Sequence, residues 1–139
     1  MTKTIREVMT MNPETVTVDS PVADAARIMR DRDTGIVPVV DGDRLVGVVT
    51  DRDITVQTVA DGRDPQTTAV GQIASSNLVT LDPQQNLDDA LHLMAEHQVR
   101  RLPVCEDDGR LVGIVAQADV ARHAKAKQTG EVVEEISHA

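Results

Sequence analysis

Residues 35–53 read GIVPVVDGDRLVGVVTDRD, which places two valine-rich runs on either side of Asp41-Gly42-Asp43. Valine favours strands, and Asp-Gly between two such runs is a strong signal for a β-hairpin. The second run leads into Thr50-Asp51-Arg52-Asp53, whose side chains favour the start of a helix. This stretch therefore predicts a strand, a tight turn, a second strand and a helix, in that order.

The same pattern returns in the run RLPVCEDDGRLVGIVAQAD of residues 101–119. Each hairpin is preceded by a matching helix pattern, PVADAARIM at residues 21–29 and NLDDALHLM at residues 86–94. Before these, Val16-Thr17-Val18-Asp19 and Val79-Thr80-Leu81-Asp82 each predict a short first strand. The chain is therefore a tandem repeat of strand, helix, strand, strand and helix.

The repeat predicts the fold class and the domain organisation. Each copy is too small to bury a sufficient core alone, so we expect the two to pack sheet against sheet around a pseudo-two-fold axis. The predicted class is α+β, with two β-α-β-β-α repeats. The first repeat is assigned to residues 5–60, a polar turn-rich linker to 61–69 and the second repeat to 70–124. Residues 125–139 are expected to be a polar tail, either a docking helix or a frayed end.

Capping residues predict where the two long helices begin and end. Ser20 is expected to cap the first, with Pro21 at its first helical position, and Asn86 is expected to cap the second. Gly35 is expected to end the first helix region, because glycine readily adopts the left-handed conformation.

The composition excludes several classes of function. The 139-residue chain contains no Phe, Trp or Tyr, so its core must be aliphatic and bases cannot be held by aromatic stacking. A net charge of −9 opposes binding to nucleic acid and to anionic membranes, so neither is expected as a partner. The single cysteine, Cys105, excludes an internal disulfide and a cysteine-rich metal motif. No signal-peptide region or membrane-spanning run is recognised, so the cytoplasm is the expected location.

Three features together resemble tandem CBS domains, which are also called Bateman modules. They are the β-α-β-β-α repeat, the Gly-x-x-Pro-Val element that begins at Gly35, and the run LVGVVTDRD of residues 45–53. The resemblance covers residues 5–124 and is strongest to small stand-alone members with two CBS domains. It implies a binding module with two clefts between the repeats, which commonly hold AMP, ATP or S-adenosylmethionine, and it implies a homodimer.

No catalytic motif accompanies these elements, so the chain is not expected to be an enzyme. The resemblance implies a regulatory module that senses an adenosine compound such as AMP, ADP, ATP or S-adenosylmethionine and signals to a separate protein partner. No cofactor is required in this interpretation. The alternative is a dimerisation or interaction module that binds no nucleotide. The sequence names neither the ligand, nor the partner, nor the arrangement of the dimer.

The resemblance also assigns residues that hold the ribose of the ligand. Thr50 and Asp53 match the family element in which a hydroxyl and a carboxylate contact the ribose, and Asp119 is the matching acid of the second repeat. Ala116 replaces the threonine there, so one hydrogen bond is lost and the stronger site is expected at Thr50 and Asp53. Helix capping is the alternative role, because Thr-x-x-Asp is close to a capping box.

Basic residues are expected to hold the phosphate. His97, Arg100 and Arg101 form the densest basic group of this acidic chain, and arginine offers paired donors that fit phosphate. Surface salt bridges are the alternative. Side chains alternate along a strand, so we expect at most one of the two arginines to face a cleft.

The remaining candidates concern the purine and a metal. Aliphatic walls for the purine are expected from the segments Ile36-Val37-Pro38 and Leu102-Pro103, with ordinary sheet core as the alternative. His97 and His123 are weighed as metal ligands, but no third ligand is evident in the sequence and no metal site is assigned.

Overall fold

A computed structural model describes residues 3–123 of the chain, and the predicted tail of residues 125–139 lies outside them. The elements of the first half are α1 (Ile5–Val8), β1 (Thr10–Met11), α2 (Val22–Arg32), β2 (Ile36–Asp41), β3 (Arg44–Thr50) and α3 (Asp51–Ile54), which is followed by a π-helical segment at Thr55–Val59. Those of the second half are a 3-10 helix at Val70–Gln72, α4 (Leu87–His97), β4 (Arg101–Cys105), β5 (Leu111–Ala116) and a helix α5, described from residue 117 to residue 123.

The two long helices, α2 and α4, each bury one apolar face. Val22 and Ala25 of α2 and Met94 of α4 are buried, at the helical spacing that the sequence predicts. The side-chain oxygen of Asn86 accepts a hydrogen bond from the amide of Asp89 at 2.9 Å. The predicted cap of α4 is therefore confirmed.

The predicted boundaries of α2 are wrong by small shifts. Pro21, and not Ser20, occupies the N-cap position, and the Ser20 hydroxyl accepts a hydrogen bond from the Thr17 amide at 3.0 Å instead. The helix ends at Asp33 in a left-handed conformation with φ 51°, before Gly35 is reached. Aspartate tolerates this conformation because its short polar side chain can bond locally.

The first predicted hairpin is formed by β2 and β3. Ile36 pairs with Thr50 and Asp41 pairs with Arg44, so that Gly42 lies in a two-residue turn. Gly42 has a φ of 63°, which is the left-handed conformation that such a tight turn requires. The Asp-Gly signal thus predicts this turn correctly.

The second hairpin, β4 and β5, follows the same plan. Arg101 pairs with Ala116 and Cys105 pairs with Leu111, and β5 also pairs with β1. The register shifts after Val104 here and after Val39 in the first hairpin, at equivalent positions. The two hairpins are therefore copies of one structure down to their irregularities.

The first strand expected in each repeat is reduced to a single β-bridge. Val16 pairs with Val39 in the first repeat and Leu81 pairs with Val104 in the second, both in parallel. Each residue of the second pair lies 65 positions after its counterpart in the first. The α+β class and the pseudo-two-fold relation between repeats are confirmed.

The N-terminal segment of each repeat packs on the other repeat, which the sequence pattern does not predict. In β1, Thr10 pairs with Ile114 of the second repeat, whereas Ser75 pairs with Val48 of the first. The backbone bonds agree, since the Ile5 amide donates to the carbonyl of Gln85 at 2.8 Å. The N-terminal segment therefore completes the second repeat.

Each repeat has its own aliphatic core between helix and sheet. The buried residues of the first core are Val16, Val22, Ala25, Val37, Val39, Val49, Val70 and Ile73. Those of the second core are Ile5, Val8, Met9, Leu81, Leu87, Ala90, Met94, Leu102, Val104, Val115 and Val120.

The hairpin turns hold the repeats together at one end of the molecule. The Leu45 amide donates to the carbonyl of Gly109 at 3.0 Å, and the Leu111 amide donates to the carbonyl of Asp43 at 2.9 Å. These two bonds are reciprocal under the pseudo-two-fold relation. They fix the relative position of the hairpins, and hence of the clefts between them.

Candidate functional site

Two clefts lie where the repeats meet. The first, which we call the Asp119 cleft, has a volume of about 410 Å³. Its lining includes Ile36 and Pro38 from the first repeat, Arg101 and Asp119 from the second, and the segment of residues 10–14. The cleft is therefore formed by both repeats together with the N-terminal segment that packs on the second repeat.

The second, which we call the central cleft, has a volume of about 640 Å³. It is bordered by residues 33–36, by Thr50 and Asp51, and by residues 98–101. Thr34, Ile36 and Arg101 border both clefts. The two clefts are thus adjacent, and these three residues lie at their boundary.

Asp119 lies in the first turn of α5, directly after β5. Its carboxylate accepts a hydrogen bond from the guanidinium of Arg122 and is half-buried at the edge of the cleft. Ala116, at the end of β5, borders the same cleft and offers no hydroxyl. Asp119 is therefore the carboxylate by which the second repeat borders this cleft.

Thr50 and Asp53 form a capping box at the start of α3. The Asp53 amide donates to the Thr50 hydroxyl oxygen at 3.1 Å, and the Thr50 amide donates to Asp53 Oδ2 at 2.9 Å. The alternative role that the sequence suggests for this pair is thus present. Within residues 3–123 it leaves Asp53 Oδ1 with only a long contact of 3.5 Å to Gln57, and it leaves the Thr50 hydroxyl free to donate its proton.

Arg100 and Arg101 both border the central cleft, and Arg101 also borders the Asp119 cleft. The expectation that at most one of them faces a cleft is wrong. Strict alternation applies within a strand, and β4 begins only at Arg101. Nη2 of Arg101 donates to the carbonyl oxygen of Asp33 at 3.3 Å, which ties it to the first repeat.

The expected aliphatic walls are divided between cleft and core. Pro38 borders the Asp119 cleft, whereas Val37 and Leu102 are buried in the two cores. Ile36, which belongs to the expected walls, also borders the Asp119 cleft, and so does Ile114, which sequence reasoning missed. The alternation of β5 could have found Ile114, because it lies two positions before Ala116 and faces the same side.

The CBS domain family matches residues 5–57 and 70–126 of this chain. The chain belongs to the CBS domain family. It is 41% identical over 135 residues to the CBS domain-containing protein YhcV of Bacillus subtilis, a match that covers 96% of this chain and 95% of YhcV. A CBS pair is a regulatory module, and YhcV is not named as an enzyme.

Two further CBS proteins are similar in sequence and structure. Hypoxic response protein 1 of Mycobacterium tuberculosis is 41% identical over 121 residues, which cover 86% of this chain and 84% of that protein. Its crystal structure, which carries two coordinated zinc ions, has a TM-score of 0.79 and covers 87% of this chain and 98% of its own. The crystal structure of CBSX2 in complex with AMP is 30% identical, with a TM-score of 0.76, and covers 90% of this chain and 98% of its own.

Within residues 3–123, no histidine belongs to a group of three or more side chains that could hold a metal ion. His97 is exposed at the end of α4, and Nδ1 of His123 lies 2.9 Å from the carbonyl oxygen of Asp119, to which it donates. Across the described range, no group of three or more His, Cys, Asp or Glu side chains is placed to hold a metal ion. Over the same residues, no helix has the length and apolar character needed to cross a membrane.

Proposed function

We propose that this chain is a regulatory module that binds an adenosine compound in the clefts between its CBS domains and signals to a separate protein. The observation that carries the proposal is the Asp119 cleft, because both repeats line it. A ligand held there contacts both repeats at once. It therefore favours one relative orientation of the repeats, which a partner can recognise.

The chemistry of the Asp119 cleft suits a nucleotide. A carboxylate such as Asp119 can accept hydrogen bonds from the two vicinal hydroxyls of a ribose. Ile36, Pro38 and Ile114 supply apolar surface for a purine, in the manner of mostly apolar small-molecule sites. Arg101 supplies paired donors for a phosphate. The AMP complex of the related CBSX2 supports this choice of ligand class.

Thr50 and Asp53 are proposed as the second ribose position. The capping box leaves one carboxylate oxygen and one hydroxyl proton available, so capping and ribose binding are compatible at this pair. Thr50 borders the central cleft together with Arg100 and Arg101. His97, in the same basic group, is proposed to contact the phosphate as well.

The homodimer and the protein partner belong to the proposal as well. Val56 and Val59 lie in the π-helical segment after α3, and 48% and 66% of their respective surfaces are exposed. Exposed valines in adjacent turns are suited to an interface, because their burial releases water from apolar surface. We propose that this segment contributes to contacts between two copies of the chain.

The test is a calorimetric titration of the full chain with AMP, ADP, ATP, S-adenosylmethionine and NADH. Saturable binding of an adenosine compound is the expected result. Asp119→Asn should weaken it by about tenfold or more, because a hydrogen bond to a charged group is lost. Asp82→Asn, outside both clefts, is the matched control. Wild-type affinity in Asp119→Asn would reject the assignment of the site.

The second candidate function is a dimerisation or interaction module that binds no nucleotide. It is favoured by the capping box, in which Thr50 and Asp53 already serve α3, and by the exposed Val56 and Val59. Flat heats with all five compounds, together with a folded dimer in analytical ultracentrifugation, would support this function over the first. Metal analysis of the purified protein would then test His97 and His123 as ligands of a shared ion.

A further inference from the structure

Residues 12–15, Asn-Pro-Glu-Thr, carry the chain from the second repeat to the first, and we call them the crossing segment. Just before it, Met11 of β1 pairs with Gly113 of the second repeat. Just after it, Val16 pairs with Val39 of the first repeat. Its first three residues border the Asp119 cleft. The crossing segment is therefore a wall of this cleft that is attached to both repeats.

The backbone of the crossing segment has little freedom. Asn12 has a φ of 52°, in the left-handed region that asparagine tolerates. The ring of Pro13 fixes its own φ at about −65°. Because these two residues are stiff, a contact made by the next residue, Glu14, also fixes the part of the segment that borders the cleft.

Glu14 makes such a contact in an ion pair, which we call the clasp. Nε of Arg32, the last residue of α2, donates to Oε2 of Glu14 at 2.7 Å. Both side chains are exposed, at 66% for Arg32 and 47% for Glu14, and both residues border the Asp119 cleft. The clasp therefore fastens the wall of the cleft to the long helix of the first repeat.

The equivalent positions of the second repeat cannot form a clasp. Val79 and His97 lie there, each 65 positions after Glu14 and Arg32 respectively. A valine carries no charge to pair with a histidine, and Val79 packs against the second core instead. The clasp is thus a feature of the first repeat that its copy lacks, and it acts on the Asp119 cleft.

We propose that Glu14 and Arg32 are positioning residues for the Asp119 cleft, because their ion pair holds the crossing segment where it can contact a ligand. The inference rests on the proposed function and deepens it, since it adds residues that act on the ligand through the wall of the cleft. An exposed ion pair contributes little. Loss of the clasp should therefore weaken binding by about two- to fivefold, which corresponds to about 0.4–1 kcal/mol.

The first experiment measures amide hydrogen exchange of residues 10–16 in the full chain without ligand, by mass spectrometry. Exchange should be about two- to fivefold faster in Glu14→Gln than in the wild type, because the segment opens more often. Asp24→Asn is the matched control, because it removes an exposed ion pair of the same helix. In that pair Arg27 lies 2.6 Å from Asp24, and neither residue borders the two clefts. This control should leave the exchange of residues 10–16 unchanged.

The second experiment titrates the full chain with adenosine and with AMP, and it follows the site that Asp119→Asn weakens. Adenosine carries no charge, so its affinity reports the position of the wall rather than the charges of the clasp. Adenosine affinity should fall by similar amounts in Glu14→Gln and Arg32→Gln, and the double variant should bind no more weakly than either single variant. Arg32→Lys keeps the positive charge and should lose less affinity.

A direct effect of charge on the phosphate gives a different pattern. Glu14→Gln would then strengthen AMP binding, Arg32→Gln would weaken it, and neither would change the affinity for adenosine. That pattern, or unchanged hydrogen exchange in Glu14→Gln, would overturn the positioning role while leaving nucleotide binding in place. Binding of neither ligand to the wild type would instead overturn the proposed function, and hydrogen exchange alone would then decide whether the clasp orders the crossing segment.

Discussion

Ile5 and Val70 hold equivalent positions in the two repeats, and each is fully buried in the core of the opposite one. Ile5 packs with Leu81 and the rest of the second core, and Val70 packs with Val16 and the rest of the first. The Ile5 amide donates to Gln85, and the Val70 amide donates to Ser20, each at 2.8 Å. The exchange ties the stability of each repeat to the N-terminal segment of the other.

The first prediction concerns the exchanged segment itself. Ile5→Ala should lower the free energy of unfolding by about 2–5 kcal/mol, because it leaves a cavity in the second core. Met11→Ala, in the same segment but 61% exposed, is the control and should change it by less than about 0.5 kcal/mol. Urea denaturation followed by far-ultraviolet circular dichroism measures both. Equal effects of the two substitutions would contradict the burial of Ile5.

The second prediction concerns the close approach of β1 to β5. A Cβ on Gly113 would lie 2.9 Å from the carbonyl oxygen of Thr10 and 2.6 Å from Met9 Sδ. Gly113→Ala should therefore destabilise the chain by about 1–3 kcal/mol. It should also weaken AMP binding, because β1 leads into residues 10–14 at the Asp119 cleft.

A matched comparison separates lost stability from lost binding. A Cβ on Gly47, in the equivalent position, would lie 2.9 Å from the carbonyl oxygen of Ser75. Gly47→Ala should destabilise the chain to a similar extent, but it should weaken AMP binding in the Asp119 cleft less. Adding Met9→Ala to Gly113→Ala should not restore stability, because the backbone of Thr10 cannot withdraw like a side chain. Full recovery in the double variant would contradict this explanation.

The hairpins and α4 can be predicted from the sequence because their signals are local. Asp41-Gly42-Asp43 lies between two valine runs, and Asn86 stands immediately before an apolar helical pattern. Tight turns and caps depend on a few adjacent residues. Asp33 shows the limit of such reasoning, since it takes the left-handed position that glycine usually fills, and Gly35 is not used for that purpose.

The exchange of segments and the full cleft cannot be predicted in this way. Residues 5–11 carry no local mark of the strand on which they pack, because Thr10 pairs with a residue more than one hundred positions away, Ile114. The Asp119 cleft is bordered by residues 10–14 for the same reason. Whether Val37 faces the core or the cleft cannot be predicted for a different reason. A valine-rich strand with two apolar faces does not show which face is core.

The third prediction separates the two roles of Thr50. Thr50→Ala removes the acceptor of the Asp53 amide and should cost about 0.5–2 kcal/mol of stability. Thr50→Ser retains the hydroxyl and is the control. If Thr50 also contacts ribose, AMP affinity should fall in Thr50→Ala and persist in Thr50→Ser, as measured by titration. Unchanged stability in Thr50→Ala would show that the capping box contributes little.

The fourth prediction concerns the pH dependence of Cys105, a free and buried cysteine. Burial raises the pKa of its thiol, and the nearby carboxylate of Asp108 raises that pKa further. The thiolate is the reactive form, so labelling of the folded chain by a thiol reagent should be slow at neutral pH. The labelling rate should rise only above about pH 8.5, the ordinary pKa of a free cysteine.

The same shift has a consequence for stability whose sign is fixed. The unfolded chain loses the thiol proton at a lower pH than the folded chain does. The stabilisation that Cys105 gives to the folded chain is therefore fully present below the pKa of the thiol in the unfolded chain. It is lost as the pH rises towards the pKa of the thiol in the folded chain. Asp108→Asn removes the carboxylate, so the labelling rate of Cys105 in this variant should rise at a lower pH than in the wild type. Cys105→Ala is the control for background labelling. Rapid labelling of the folded wild type at pH 7 would contradict a raised pKa, because it would require an accessible thiolate at that pH.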